Sequence, residues 1–399
     1  MILPLGDEPN PPGVPLATYA LILVNCAVYV FLTLPLSVVR PDPADPLVQE
    51  YLGAMFEVMS LPPSERAANA IFSRLTEYDL LVFEWGFRPV APQVVTLFTA
   101  MFLHGGFLHL AGNMLFLWIY GDNVEYRLGR LRFIGAYLGT GIAATLFHTL
   151  FAGQSLLPLL GASGAISGIL GLYFLWFPRN RVKLWVMLFP FFMQVVYAPA
   201  RWVLGFYVLA DNLLPLLTAA GGRGGGVAYG AHIGGFFGGL FVAWMIKRHS
   251  LLTPNSNLSE TLQTDAAVPP AGSIASLVEE GDFEEAARRY IGVSSTETRR
   301  LLGEYHSLQL GTWMASKGHP HTALVVFQRH IRDYPLGSTA AEAHVGAGLL
   351  QLRAFGQPTA AYQYLVEALG LDPSPETAER AKQGLDQIDA LRRFRLHSR

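Results

Sequence analysis

Uncharged runs of about 14 to 21 residues recur through the first 250 positions, with the polar residues gathered between them. Leu16 to Leu36 carries no charge and is long enough for one helical crossing of a bilayer. Further apolar runs lie at about Phe107 to Tyr120, Phe133 to Phe151, Leu160 to Phe177, Trp202 to Leu217 and Val227 to Ile246. Leu184 to Ala198 is also apolar, and parity decides its place. If it crossed as well, the last run would enter from the wrong side and Lys247-Arg248 would lie outside. This piece therefore reads as interfacial or re-entrant, with pattern alone leaving open a part in one long helix. Six spans with both ends inside is the consistent count, because basic residues cluster after spans two, four and six.

The connections carry their own signals. Met1 to Pro15 reads as a short proline-rich tail. Ser37 to about Ala100 holds several helix-compatible pieces, too regular for disorder, and is expected to lie partly ordered on the membrane face. Gly221 to Gly226 reads as the turn into span six. The first apolar run has no basic leader and no small-residue cleavage site, which makes it a retained anchor.

Beyond about residue 250 the pattern changes. Residues 251–272 read as a linker and 273–399 as a helical repeat domain. Gly281, Gly318 and Gly356 are each followed five residues later by Ala286, Ala323 and Ala361, and four residues further by Tyr290, Phe327 and Leu365. Pro335 and Pro373 close the second and third copies. A step of 37 to 38 residues resembles tetratricopeptide helix pairs, whose period is about 34. Such stacks present a concave surface, commonly to peptides. A generic helical domain is the plainer reading.

Composition narrows the classes. Hydrophobic residues make up 51% and charged residues 15%, so the N-terminal two thirds reads as a polytopic membrane protein. The net charge of -2 gives no reason to expect nucleic acid. Cys26 is the only cysteine, which leaves no disulfide and no cysteine metal site, and neither a metal nor a cofactor is called for.

Two motifs carry candidate chemistry. Gly161-Ala162-Ser163-Gly164 opens span four, and His232 lies in Gly230-Ala231-His232-Ile233-Gly234-Gly235-Phe236-Phe237-Gly238-Gly239 within span six. Ser163 alone would more often be a small packing residue, but an ionisable side chain at membrane depth is costly and usually functional. At 100° per residue, Ser163, Ser167 and Gly171 fall within about 80° on span four, and His232, Gly235 and Gly239 within about 60° on span six. The polar groups thus sit on faces that can approach closely, and a histidine beside a serine hydroxyl is the base such a nucleophile needs. His109 and Asn113, spaced i, i+4 on span two, can offer donors to an oxyanion together with the unpaired N–H groups at the start of span four. Asp211 is the only acid close by in span five, and reads rather as a packing or cavity-lining group.

These motifs resemble the rhomboid family of intramembrane serine proteases, over about residues 1–250. The resemblance implies an all-α, six-helix membrane bundle and does not cover the soluble tetratricopeptide-like domain expected after it. It implies a Ser163–His232 dyad without a metal or cofactor, an oxyanion site made by His109, Asn113 and the Ser163 backbone, and structural roles for His104, Glu125 and the motif glycines Gly161, Gly164, Gly235 and Gly239. The partners it implies are transmembrane protein substrates in the lipid bilayer; the repeats, read separately, would take a cytoplasmic peptide or protein. The expected site is a bacterial inner membrane, with both termini in the cytoplasm. Two positions depart from the family. Val95-Thr96 stands where many members have Trp-Arg, and Ser167 where some stack a tyrosine on the histidine, so another group must orient His232. The rival readings are an inactive rhomboid-like binding or quality-control protein, which would typically lack the serine or the histidine, and a transporter, which would show paired broken spans.

Overall fold

The computed structural model describes residues 2–11, 13–188, 192–219, 228–252, 271–293 and 295–397. The turn expected at Gly221 to Gly226 and most of the linker expected at 251–272 lie outside the described residues. The chain divides into two compact units: one of Met1–Asp7, Gly13–Trp176 and Val182–Ala243, the other of Glu8–Pro12, Phe177–Arg181 and Trp244–Arg399.

The first unit is a helical bundle, and the protein is a membrane protein. After strand β1 (Ile2–Glu8) comes α1, Leu16–Leu36. The helices of the following connection are α2 (Pro46–Met59), α3 (Glu65–Phe72), α4 (Glu77–Trp85) and the short α5 (Thr96–Phe102). Then follow α6 (Phe107–Leu128), α7 (Arg130–Ala152) and α8 (Ser163–Trp176). A ring of exposed Leu23, Phe31, Leu108, Leu150, Phe206 and Phe241 gives the bundle an apolar outer face, as lipid requires. The second span is longer than its apolar run suggests. Glu125 and Arg127 lie inside α6 because their side chains find buried partners at one end of the bundle. By contrast α8 has 14 residues, about 21 Å at 1.5 Å per residue. It cannot cross a 30 Å hydrocarbon layer alone.

The described residues of 184–198 are extended, not part of a long helix. They form β2 (Arg181–Leu188) and β3 (Phe192–Pro199), which join β1 in a sheet of order β1-β2-β3. The proline-rich tail is therefore partly a strand. A short apolar run has no period that separates strand from buried helix, but Val182, Val186, Val195, Val196 and Tyr197 favour extended backbone.

The fifth span is α9, built of Ala200–Val208, a π-helical turn at Leu209–Leu213 and Leu214–Ala219. The first span has the same break, with a π turn at Tyr29–Thr33. In both, a proline follows two residues after the turn: Pro35 and Pro215. Proline lacks an N–H and its ring collides with the carbonyl four residues back, which lies inside the π turn in each case. The wider turn relieves that collision. The bundle closes with α10, Tyr229–Leu252.

The second unit contains α11 (Ala271–Glu279), α12 (Phe283–Gly292), α13 (Thr296–Arg300), α14 (Glu304–Ser316), α15 (Pro320–Asp333), α16 (Ala340–Arg353), α17 (Pro358–Leu369) and α18 (Pro375–His397). Gly281, Gly318 and Gly356 occupy left-handed turns between helices. Each repeat alanine and its bulky partner is buried, Ala286 with Tyr290, Ala323 with Phe327 and Ala361 with Leu365. Polar ties recur at similar spacing, from Arg299 to Asp333, Ser338 to Glu304 and Thr377 to Glu342, separations of 34, 34 and 35 residues. These bonds join the corresponding turns of successive helix pairs.

His330 and His344 are buried in this unit, and burial lowers the pKa of both, His344 to about 4. The unfolded chain, at about 6.5, binds protons that the folded unit refuses, so stability is complete above that value and falls as pH drops through 6.5 towards 4. His344 alone accounts for about 2 kcal/mol lost by pH 5. Limited proteolysis of the full chain should cut the second unit faster at pH 5 than at pH 7.5. His344→Phe should flatten that dependence.

Candidate active site

The serine is set by the chain that leads to it. Phe87 and Leu159 pair backbone to backbone, at 2.9 and 2.8 Å, which fixes the strand-like approach. Two residues on, Gly161 N donates to Ala100 O at 2.8 Å. Gly161 itself has φ +113°, a conformation that a side chain would strain, and its missing Cβ leaves room for the His109 ring. The helix then starts at Ser163, where the first N–H groups have no helical acceptor.

On the opposite helix, backbone meets backbone. A Cβ on Gly235 would overlap the Gly164 carbonyl oxygen, and one on Gly239 the Gly168 carbonyl oxygen. Gly171 faces the Phe236 backbone in the same way. The contact face of α8 towards α10 is thus the Gly164 and Gly168 carbonyl oxygens with Gly171, while a Cβ on Gly164 or Gly168 would instead meet Ala144 or Thr140 of α7. Ser163 stands at the edge of this face, where it can meet a side chain. His232 Nε2 lies 2.8 Å from Ser163 Oγ.

Sequence reasoning missed the group on the other side of that ring. Nδ1 of His232 is 2.6 Å from Oδ1 of Asn212, on α9. Asn212 is 2% exposed, and its Nδ2 donates to Tyr207 O at 2.8 Å. Asp211, the acid singled out from sequence, is exposed instead. Tyr207 also answers the departure at Ser167: its phenol reaches in from α9 and lies 2.9 Å from the Ser167 hydroxyl. Pro215 was the available signal, since a widened turn before it displaces the register by about one residue.

His109 and Asn113 both face the serine loop. A Cβ on Gly161 would come within 2.7 Å of His109 Nε2 and 3.9 Å of Asn113 Nδ2. That Asn113 amide nitrogen is buried and makes no hydrogen bond among the described residues. His104 is fully buried, with its ring edge-on to His109 at 5.2 Å. Its backbone is clamped by Tyr78, whose hydroxyl donates to His104 O at 2.8 Å and accepts from His104 N at 3.0 Å. Where Trp-Arg is lacking at Val95-Thr96, Thr99 Oγ1 ties the loop to Trp85 O at 2.6 Å. Glu125 lies apart from this cluster and caps another helix. α1 has no cap of its own at Pro15, and Glu125 accepts from Ala17 N, Thr18 N and Thr18 Oγ1 at 2.9, 2.7 and 2.8 Å. No group of three or more metal-ligating side chains occurs among the described residues.

A bundle of apolar helices that holds a serine hydrogen-bonded to a histidine defines the class as a polytopic membrane protein. Residues 91–249 match the rhomboid domain family, and the chain carries a rhomboid domain. It is 32% identical over 158 residues to rhomboid protein 1, mitochondrial, of Saccharomyces cerevisiae, covering 39% of this chain and 42% of that one. It is 33% identical over 150 residues to rhomboid protease GluP of Bacillus subtilis, 37% of this chain and 25% of the relative. Rhomboid-type serine protease 2 of Emericella nidulans matches at 30% over 166 residues, 40% and 28%. The chain spans less than half the length of these curated relatives.

The glycine contacts make a direct prediction. Gly239→Val places two methyl groups beyond a Cβ that already overlaps a backbone oxygen, so α8 and α10 must separate. Thermal unfolding in detergent should show a loss of about 1–3 kcal/mol or more. An unchanged midpoint would mean that the two helices do not meet there.

Proposed function

We propose that the protein is an intramembrane serine endopeptidase that cleaves transmembrane segments of other membrane proteins. The observation that carries this is the 2.8 Å contact between Ser163 Oγ and His232 Nε2 on two glycine-packed helices. Ser163 attacks the scissile carbonyl while His232 takes its proton, then returns it to the leaving amine. Negative charge gathers on the carbonyl oxygen, and the unpaired N–H groups at the start of α8, with Asn113 and His109, supply the donors for it. Hydrolysis of the acyl-enzyme needs water at depth. The short α8 supports a polar cavity opening towards one face.

The membrane setting follows from the same reading. Basic residues at Arg127, Arg130 and Arg132, at Arg179 and Arg181, and at Lys247 and Arg248 favour the cytoplasmic side for those ends, with both termini inside. A bacterial inner membrane fits the likeness to the Bacillus protein. The second unit serves as a tetratricopeptide-like recruiter of a cytoplasmic peptide or protein. Its groove has an apolar floor at Leu308, Phe327 and Leu350, with Glu342 and Arg353 beside it.

Cleavage of a single-span model substrate in liposomes tests the chemistry. Wild type should cut, and Ser163→Ala and His232→Ala should each lower the rate by about 10³-fold or more. Labelling of wild type by a fluorophosphonate, absent in Ser163→Ala, locates the nucleophile. A folded wild type that neither cuts nor labels would favour an inactive binding protein. For orientation, a periplasmic-only reporter fused at the C-terminus should stay silent.

A further inference from the structure

We propose that Asn212 is the positioning residue for His232: it fixes which ring nitrogen carries the proton, so that Nε2 is left bare to face Ser163. The inference rests on reading Ser163 and His232 as the reacting pair. Its geometry is specific, because an asparagine amide has one accepting end and one donating end. The donating end is committed, since Nδ2 lies 2.8 Å from the Tyr207 carbonyl oxygen, which can only accept. That leaves Oδ1 towards the histidine, 2.6 Å from Nδ1, and Oδ1 cannot donate. The hydrogen of this contact therefore belongs to Nδ1, and neutral imidazole then has its lone pair on Nε2, 2.8 Å from the serine hydroxyl. The serine donates, the histidine receives, and the proton chain has one direction.

The same contact fixes the ring in space. Asn212 is 2% exposed, and both ends of its amide are used. Its carrier is the π turn Leu209–Leu213, which Pro215 requires, and the turn presents Asn212 inward while Asp211 stays exposed. A neutral amide does what a third, acidic member does elsewhere, without burying a second charge in a low-dielectric bundle. The Tyr207 phenol, held by Ser167, braces the turn from the α8 side.

The test uses the full-length protein in liposomes, with the single-span substrate and three forms: wild type, Asn212→Leu and Asn212→Asp. Leu matches the shape and removes the acceptor, whereas Asp restores an acceptor for Nδ1–H. Asn212→Leu should lower kcat by about 10- to 100-fold with KM nearly unchanged, as loss of an outer partner of a working histidine does. Asn212→Asp should recover about tenfold of that. Nitrogen-15 imidazole spectra, with the His232 signal assigned by its absence in His232→Ala, should show Nδ1 protonated in wild type and a mixture of tautomers in Asn212→Leu.

Equal kcat in wild type and Asn212→Leu, with Nδ1 protonated in both, would overturn the proposal. So would equal losses in Leu and Asp forms accompanied by lower thermal midpoints, which is the mark of a packing residue alone. Should wild type neither cut nor label with fluorophosphonate, the protease reading fails by itself. The tautomer spectra then still decide the Asn212 assignment, for or against.

Discussion

Two helices in this bundle touch through their backbones. Gly235 and Gly239 of α10 meet the Gly164 and Gly168 carbonyl oxygens of α8, and Gly171 of α8 meets the Phe236 backbone. In lipid there is little hydrophobic gain from bringing helices together, so association relies on dispersion at the closest approach that small residues permit. The consequence for chemistry is reach. A serine side chain is one carbon and one oxygen long, and only helices this close let Ser163 meet His232 at 2.8 Å. A Cβ on Gly235 or Gly239 would overlap a carbonyl oxygen of α8, so the two helices would have to part.

The remaining elements hold that seam at the right depth and rotation. Glu125 caps α1 from within α6, so the first and second spans are tied at one end by three hydrogen bonds to a buried carboxylate. Asp7 of β1 does similar work, accepting from Asn123 Nδ2 at 2.9 Å and from the Tyr173 hydroxyl, which links the strand to α6 and α8. On the serine side, the long connection acts as scaffold. Its Phe87 pairs with Leu159, its Ala100 carbonyl receives Gly161 N, and its Tyr78 clamps the His104 backbone. A stretch that is polar enough to look like a loop is thus the mould for the chain before Ser163.

The second unit rests on different physics. In water the apolar stripe of each helix drives burial, and the alanines at 286, 323 and 361 allow the next helix to come close while Tyr290, Phe327 and Leu365 fill the space beside them. Arg299 and Asp333, both nearly inaccessible, form a buried pair joining two successive pairs of helices. Such a pair adds register more than stability, since both charges have lost their water.

Sequence alone marked out the apolar stretches that become the helices of the bundle, because hydrocarbon demands long apolar runs. It also singled out Ser163 and His232 as polar groups among apolar runs, with His109 and Asn113 spaced to share a face, whereas His104 and Glu125 came only from the family resemblance. The repeat positions were legible for a related reason: a glycine in a left-handed turn and an alanine in a tight seam are constraints on residue type. Tertiary structure decided what periodicity cannot carry. Rotation about a helix axis depends on local pitch, and the π turn before Pro215 put Asn212 rather than Asp211 at the histidine. The apolar run at 184–198 became two strands because a short apolar segment takes its form from the partner that satisfies its backbone, here β1, far away in sequence.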